Sequence, residues 1–222
     1  MFHVKPFLIL LLLLPLLSFS QHVGSSRLEI KELPPPPAKD YAVENYINQF
    51  PSSLNATQKE WFYWTNYSRR NPRRFWDSVI IPILQVHPEF KNSYINSLKE
   101  DLYKTSPLPL VKPSDNLAKI AQQLARALAA TKAGPSHTAP SGSTFESRMQ
   151  SIKIKRCAGE NISFGPPNTL MMLVLLYVDE GVPDLGHRKT LLNPLYVEMG
   201  VGVSAYPESK YMVVTDFACD QK

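Results

Sequence analysis

The sequence predicts an α+β domain in which a small antiparallel sheet lies between helical layers, and three stretches carry that reading. In "SDNLAKIAQQLARALAATK", Leu117, Ile120, Ala121, Leu124, Ala125 and Leu128 recur at the i, i+3, i+4, i+7 spacing of one helical face. "NTLMMLVLLYVDEG" holds an unbroken apolar run from Leu170 to Val178 with capping residues at both ends, which reads as a buried helix. "VEMGVGVSAY" and "YMVVTDF" alternate with period two around "PESK", as the strands and loop of an antiparallel hairpin do. Helices around a few strands make a layered domain with both sheet faces covered.

The elements follow in chain order. Residues 1–20 begin with Lys5 near the start, continue through an apolar run from Phe7 to Leu17, and end in Ser18-Phe19-Ser20. That is the pattern of a cleaved secretory signal, too short and too broken by Pro15 for a membrane span. Residues 21–53 read as a linker and docking arm, because "KELPPPPAKD" favours an extended, semi-rigid chain. The folded domain, residues 54–222, opens with a helix carrying Trp61, Trp64, Thr65 and Ser68 on one stripe and stopped by Asn71-Pro72. The three tryptophans, Trp61, Trp64 and Trp76, are expected in the core. Pro72 starts the next helix, with Phe75, Val79 and Ile83 on one face, and Pro88 starts another with Phe90, Tyr94, Leu98 and Leu102. Ser114 or Asp115 caps the long helix and Gly134-Pro135 ends it. "STFE" at 143–146 has the form of a capping box opening a short helix. Asn168 or Thr169 caps the apolar helix and Gly181 ends it. "AGENISF" at 158–164 supplies a third strand.

Composition narrows the function. A net charge of +5 is spread over scattered basic groups, with no nucleic-acid module, so nucleic acid is not an expected partner. Weak attraction to anionic envelope polymers fits the charge. Cys157 and Cys219 are the two cysteines. They are either one disulfide or two buried thiols, and export favours the disulfide. Two thiols are too few for a finger-type zinc cluster. Ser136 beside His137 is not a serine-nucleophile signal, since no G-x-S-x-G elbow is present.

Three polar spots remain: "PSHT" around His137, "AGENIS" around Glu160, and "DEGVPDLGHR" around His187. Two imidazoles and two carboxylates suit either a divalent metal or a general acid/base pair. The order Ser136-His137, then Gly159-Glu160-Asn161-Ile162, then Gly186-His187-Arg188 resembles the CAP superfamily of cysteine-rich secretory, antigen 5 and pathogenesis-related proteins. "DEGVP-x-x-GHR-x-x-LLNP", "NYSRRNPRRF" and "GVGV…YMVVTDFA" are similar to its bacterial-type secreted branch. The resemblance implies an α-β-α sandwich whose central cleft is lined by His137, Glu160, His187 and a second acid, for which Asp179 is preferred over Glu180. Gly186 would make the turn that points His187 into the cleft, and Arg188 would pair with Asp184.

Within that resemblance three functions are open. The first is an exported binding protein for a divalent metal, a lipid or an envelope ligand, with no stable membrane anchor after signal cleavage. The second is a metal-dependent, peptidase-like hydrolase. There His137 and His187 would hold Zn²⁺ or another divalent cation, Glu160 would be a ligand or general base, and Asp179 would orient a histidine. The third is a non-catalytic structural or interaction domain. A lipid binder additionally needs a continuous apolar groove, which only a structure can show.

Overall fold

The computed structural model describes residues 19–23, 33–165, 167–208 and 210–221. The expected signal segment lies outside the described residues except for its last two positions. The elements are β1 (Phe19–Val23), α1 (Tyr41–Ile47), α2 (Ala56–Arg70), α3 (Pro72–Phe75), a π-helical turn (Trp76–Ile80), α4 (Ile81–Val86) and a 3₁₀ turn (Pro88–Phe90). They continue through α5 (Ser93–Lys104), β2 (Lys112–Pro113), α6 (Asp115–Ala130), α7 (Phe145–Ser151) and β3 (Ala158–Gly165). The last are α8 (Thr169–Val178), α9 (Gly186–Leu191), β4 (Tyr196–Tyr206) and β5 (Lys210–Cys219).

Local chemistry sets most boundaries. Asn55 and Gln58 form a reciprocal capping box at the start of α2. Asn71 ends α2 and caps α3, with Pro72 at the first helical position. Pro88 opens only the 3₁₀ turn; α5 starts later, where the Asn92 side chain accepts from the backbone N–H of Tyr94 and Ile95. At "STFE" the cap is Thr144, not Ser143, and its side chain accepts from Ser147 N–H. Asn168 caps α8, which ends at Val178 with Asp179 in the left-handed region, ahead of the expected Gly181. Tyr41–Ile47, inside the expected arm, is helical, and its Val43 and Ile47 are buried against the main core.

The five strands run in the order β1-β3-β5-β4-β2. The two strands expected from alternation and the third expected at 158–164 form the antiparallel centre, β3-β5-β4. Both edges are parallel, β1 on β3 and β2 on β4. Parallel neighbours need crossovers, so a period-two pattern does not announce them. One face carries Met199, Val201, Val213 and Phe217 into a core with α2, α8 and all three tryptophans. The other carries Ile162, Met212, Val214, Ala158 and Ala218 against α6 and α7.

Two details fix α6 on the sheet. A Cβ at Gly200 would collide with the backbone of Leu117 and Ala118, and one at Gly202 with the backbone of Ala121. The helix therefore rests directly on the β4 backbone, and the Gln122 carboxamide exchanges two hydrogen bonds with Val203, at 2.8 and 3.1 Å. Beside it, a Cys157–Cys219 disulfide joins the segment before β3 to the end of β5, with Cα atoms 5.6 Å apart.

Gly202→Ala is expected to destabilise the fold by at least ~2 kcal/mol, because backbone rather than a movable side chain would have to yield; urea unfolding measures it. Cys157→Ser with Cys219→Ser is expected to cost up to ~4 kcal/mol for a separation of 62 residues. The same unfolding assay, run with and without reductant on the wild type, checks it.

Candidate functional site

The four expected side chains form two imidazole–carboxylate pairs, and β3 is the element between them. Glu160 shares its side of β3 with Ala158 and Ile162, facing α6 and α7. Asn161 shares the opposite side with Gly159, which abuts Thr190 and Tyr196. Consecutive strand residues point to opposite faces, so the two pairs are distributed across the sheet.

On the α6/α7 side, His137 Nδ1 lies 2.7 Å from Glu160 Oε1. Arg148 of α7 takes the other carboxylate oxygen, with Nη2 donating to Oε2 at 2.5 Å. Nη1 of the same guanidinium donates to the carbonyls of His137 and Ser143. Arg148 thus fixes the carboxylate and the loop that delivers the histidine. All three side chains are buried, and His137 Nε2 is a buried nitrogen with no hydrogen-bond partner.

On the opposite side, His187 Nδ1 lies 2.6 Å from Asp179 Oδ1, and Arg188 N–H donates to Oδ2 at 3.1 Å. Asn161 reaches this pair from β3, donating to the His187 carbonyl. Asp179 is the acid chosen; the neighbouring Glu180 is exposed and accepts from Asn92. Two left-handed residues shape the loop, Asp179 at φ 58° and Leu185 at φ 53°. The expected turn at Gly186 is made one residue earlier, by Leu185, and Gly186 is the first residue of α9. Arg188 turns away from Asp184. It donates to Asp101 at 2.9 Å and to the carbonyls of Tyr177, Val178 and Tyr94.

Each of the four carboxylate oxygens therefore has one partner in the pairs and the loops that carry them. Among the described residues no group of three or more His, Cys, Asp or Glu side chains is placed to hold a metal ion.

Two partners escaped the sequence reading. Arg148 occupies the i+3 position between Phe145 and Met149 on a buried helical face, a position that calls for a buried anion. Asp216 stands opposite Glu160 in the β3–β5 register and is fully buried. Burial first, then the neighbouring Glu160 charge, push its carboxyl well above the usual range. An acid inside "VVTDFA", a strand buried on both faces, was the available signal.

A separate groove lies beneath the proline-rich stretch. Pro36 and Pro37 form one wall, Ile47, Tyr63 and Trp64 the floor, and the cavity measures about 370 Å³. A Lys39–Glu44 ion pair of 2.6 Å lies at its rim, near Lys59 and Glu60.

Arg148→Leu is expected to destabilise the domain by ~3–5 kcal/mol, since it leaves the buried Glu160 uncompensated. Glu160→Gln with Arg148→Leu should recover part of that loss, which a double-mutant cycle in denaturant reads directly.

A model of the cysteine-rich secretory protein (CAP) family matches residues 65–217. No curated protein matches the chain. Among solved structures it is similar to an extracellular SCP-domain protein of Bacillus anthracis, at 27% identity and a TM-score of 0.43. That match covers 51% of this chain and 35% of the other, so the chain spans about a third of that protein's length. An outer surface protein of Borrelia burgdorferi matches at 20% identity and a TM-score of 0.43, covering 61% of this chain and 92% of that one. Schistosoma mansoni venom allergen-like protein 4 matches at 12% identity and a TM-score of 0.45, covering 76% and 92%. The family match takes in both histidines, both acids and nearly all of the antiparallel centre of the sheet: this chain belongs to the cysteine-rich secretory protein (CAP) family.

Proposed function

We propose that the protein is an exported, non-hydrolytic binding domain that holds the alkyl part of a single-chain amphiphile in the groove between the proline-rich stretch and α1–α2. The observation that carries this reading is the groove itself, an apolar floor of Ile47, Tyr63 and Trp64 under a wall of two prolines. Its volume falls within the range of small-molecule sites, and its charged rim suits a polar headgroup kept in water. Prolines lose little entropy on ordering, so such a wall is formed before a ligand arrives. Export is supported by the apolar leader pattern and by a disulfide, which persists in oxidising compartments.

A hydrolytic role for Glu160 is disfavoured by its chemistry. A general base must reach the proton it abstracts, and both oxygens of this carboxylate are already held by His137 and Arg148.

The test is a titration of the protein with palmitate, read by tryptophan emission, since Trp64 forms part of the floor. Saturable quenching is expected. Pro36→Ala with Pro37→Ala should weaken binding by ~5-fold or more through lost apolar contact. Asn48→Trp, filling the groove from its exposed edge, should abolish it. A wild type that shows no saturation up to ~1 mM, the weak limit of specific binding, overturns the proposal.

A further inference from the structure

We propose that Asp216 is a positioning residue for the His137–Glu160 pair: it is held as a neutral carboxylic acid whose hydrogen is donated to Glu160, fixing His137 as the Nδ1–H tautomer. This holds whatever occupies the groove.

The geometry is a closed set of buried groups. Asp216 and Glu160 are register partners on adjacent antiparallel strands, both fully buried and on the same face of the sheet. Neither oxygen of Asp216 has a hydrogen-bond donor. The Glu160 oxygens are taken by His137 Nδ1 and Arg148 Nη2. On the β4 side Asp216 pairs with Gly200, which brings no side chain. The charged residues of the overlying α6, Asp115, Lys119 and Arg126, are all exposed, and its buried positions are apolar. Among the described residues, Arg148 is thus the one fixed cation facing two buried carboxyl groups.

That arrangement needs one more proton, and hydrogen-bond accounting says where it sits. Were it on His137, the buried Nε2 would become a donor with no acceptor, and Asp216 would remain a buried anion with two bare oxygens. Placed on Asp216, the proton gives that residue a donor aimed at Glu160, whose oxygens each retain a second lone pair. The His137 Nε2 lone pair, the Arg148 Nε–H and the second Asp216 oxygen are then left without partners, but none of these is a bare buried anion. A buried ion without a donor is far costlier than an unpaired acceptor, so the second arrangement wins. Burial and the facing Glu160 charge push the Asp216 carboxyl upward, in the same direction. His137 then keeps its proton on Nδ1 and presents a bare Nε2.

The stability consequence has a definite sign. Between the usual aspartate range, about 3.9, and the raised native value, the folded state binds a proton that the unfolded state has released. Stability contributed by this group is therefore lost as pH rises through that window.

The experiment is carbon-13 NMR of the Asp216 carboxyl in the wild-type protein, with nitrogen-15 spectra of the His137 ring in Asp216→Asn and Asp216→Ala at neutral pH. A carboxyl still protonated at neutral pH is expected, with a single Nδ1–H tautomer in the wild type. Asp216→Asn should keep that tautomer, because its amide N–H replaces the acid hydrogen, and should remove the fall in stability with rising pH. Asp216→Ala should give a mixture of tautomers or an imidazolium. Ordinary carboxylate titration of Asp216 overturns the proposal without any variant having to fold. So does an Asp216→Asn protein whose His137 has changed state, or an Asp216→Ala protein whose His137 has not.

Discussion

Strand β3 is buried on both faces, and the rest of the site follows from that constraint. Its residues run buried almost without interruption from Ala158 to Gly165, yet they include Glu160, Asn161 and Ser163. A polar group withdrawn from water must find partners inside the protein, and strand geometry sends neighbours to opposite sides. Glu160 is thereby committed to α7 and the His137 loop, and Asn161 to α9 and His187. The two halves of the motif "GEN" organise two different layers.

Buried arginines meet the same demand with carbonyls more than with carboxylates. Arg69 of α2 is fully buried and donates to the carbonyls of Pro109, Leu191, Asn193 and Tyr196. It fastens the end of α9 and the start of β4 to the helical layer. Burial lowers the proton affinity of its guanidinium. Arg148 and Arg188 play matching parts, each closing the loop that carries one histidine. The planar fork of donors explains why arginine rather than lysine occupies all three places.

Two of the five non-glycine residues with positive φ among the described residues lie beside one histidine. Asp179 and Leu185 both adopt the left-handed conformation, which a side chain with a Cβ resists. Asp179 is the better tolerated of the two, since short polar side chains visit this region, and its two hydrogen bonds to α9 hold it there. Leu185 offers no such compensation of its own; its place is set by the helix it opens. This segment thus exchanges conformational ease for a fixed His187 orientation.

Periodicity by itself determined the parts whose stability is local. The stripe on α6, the apolar run of α8 and the alternation of β4 and β5 were all legible, because each buries a face that repeats in the sequence. Motif order named His137, Glu160, Asp179 and His187, and an even cysteine number in an exported pattern named the disulfide. Tertiary structure alone decided what meets across long separations. The parallel edges of the sheet, the contact of α6 with Gly200 and Gly202, the turn of Arg188 toward Asp101, and the facing of Asp216 with Glu160 all depend on register and crossover. A side chain's residue type states that it needs a partner; only the packed chain states which one it gets.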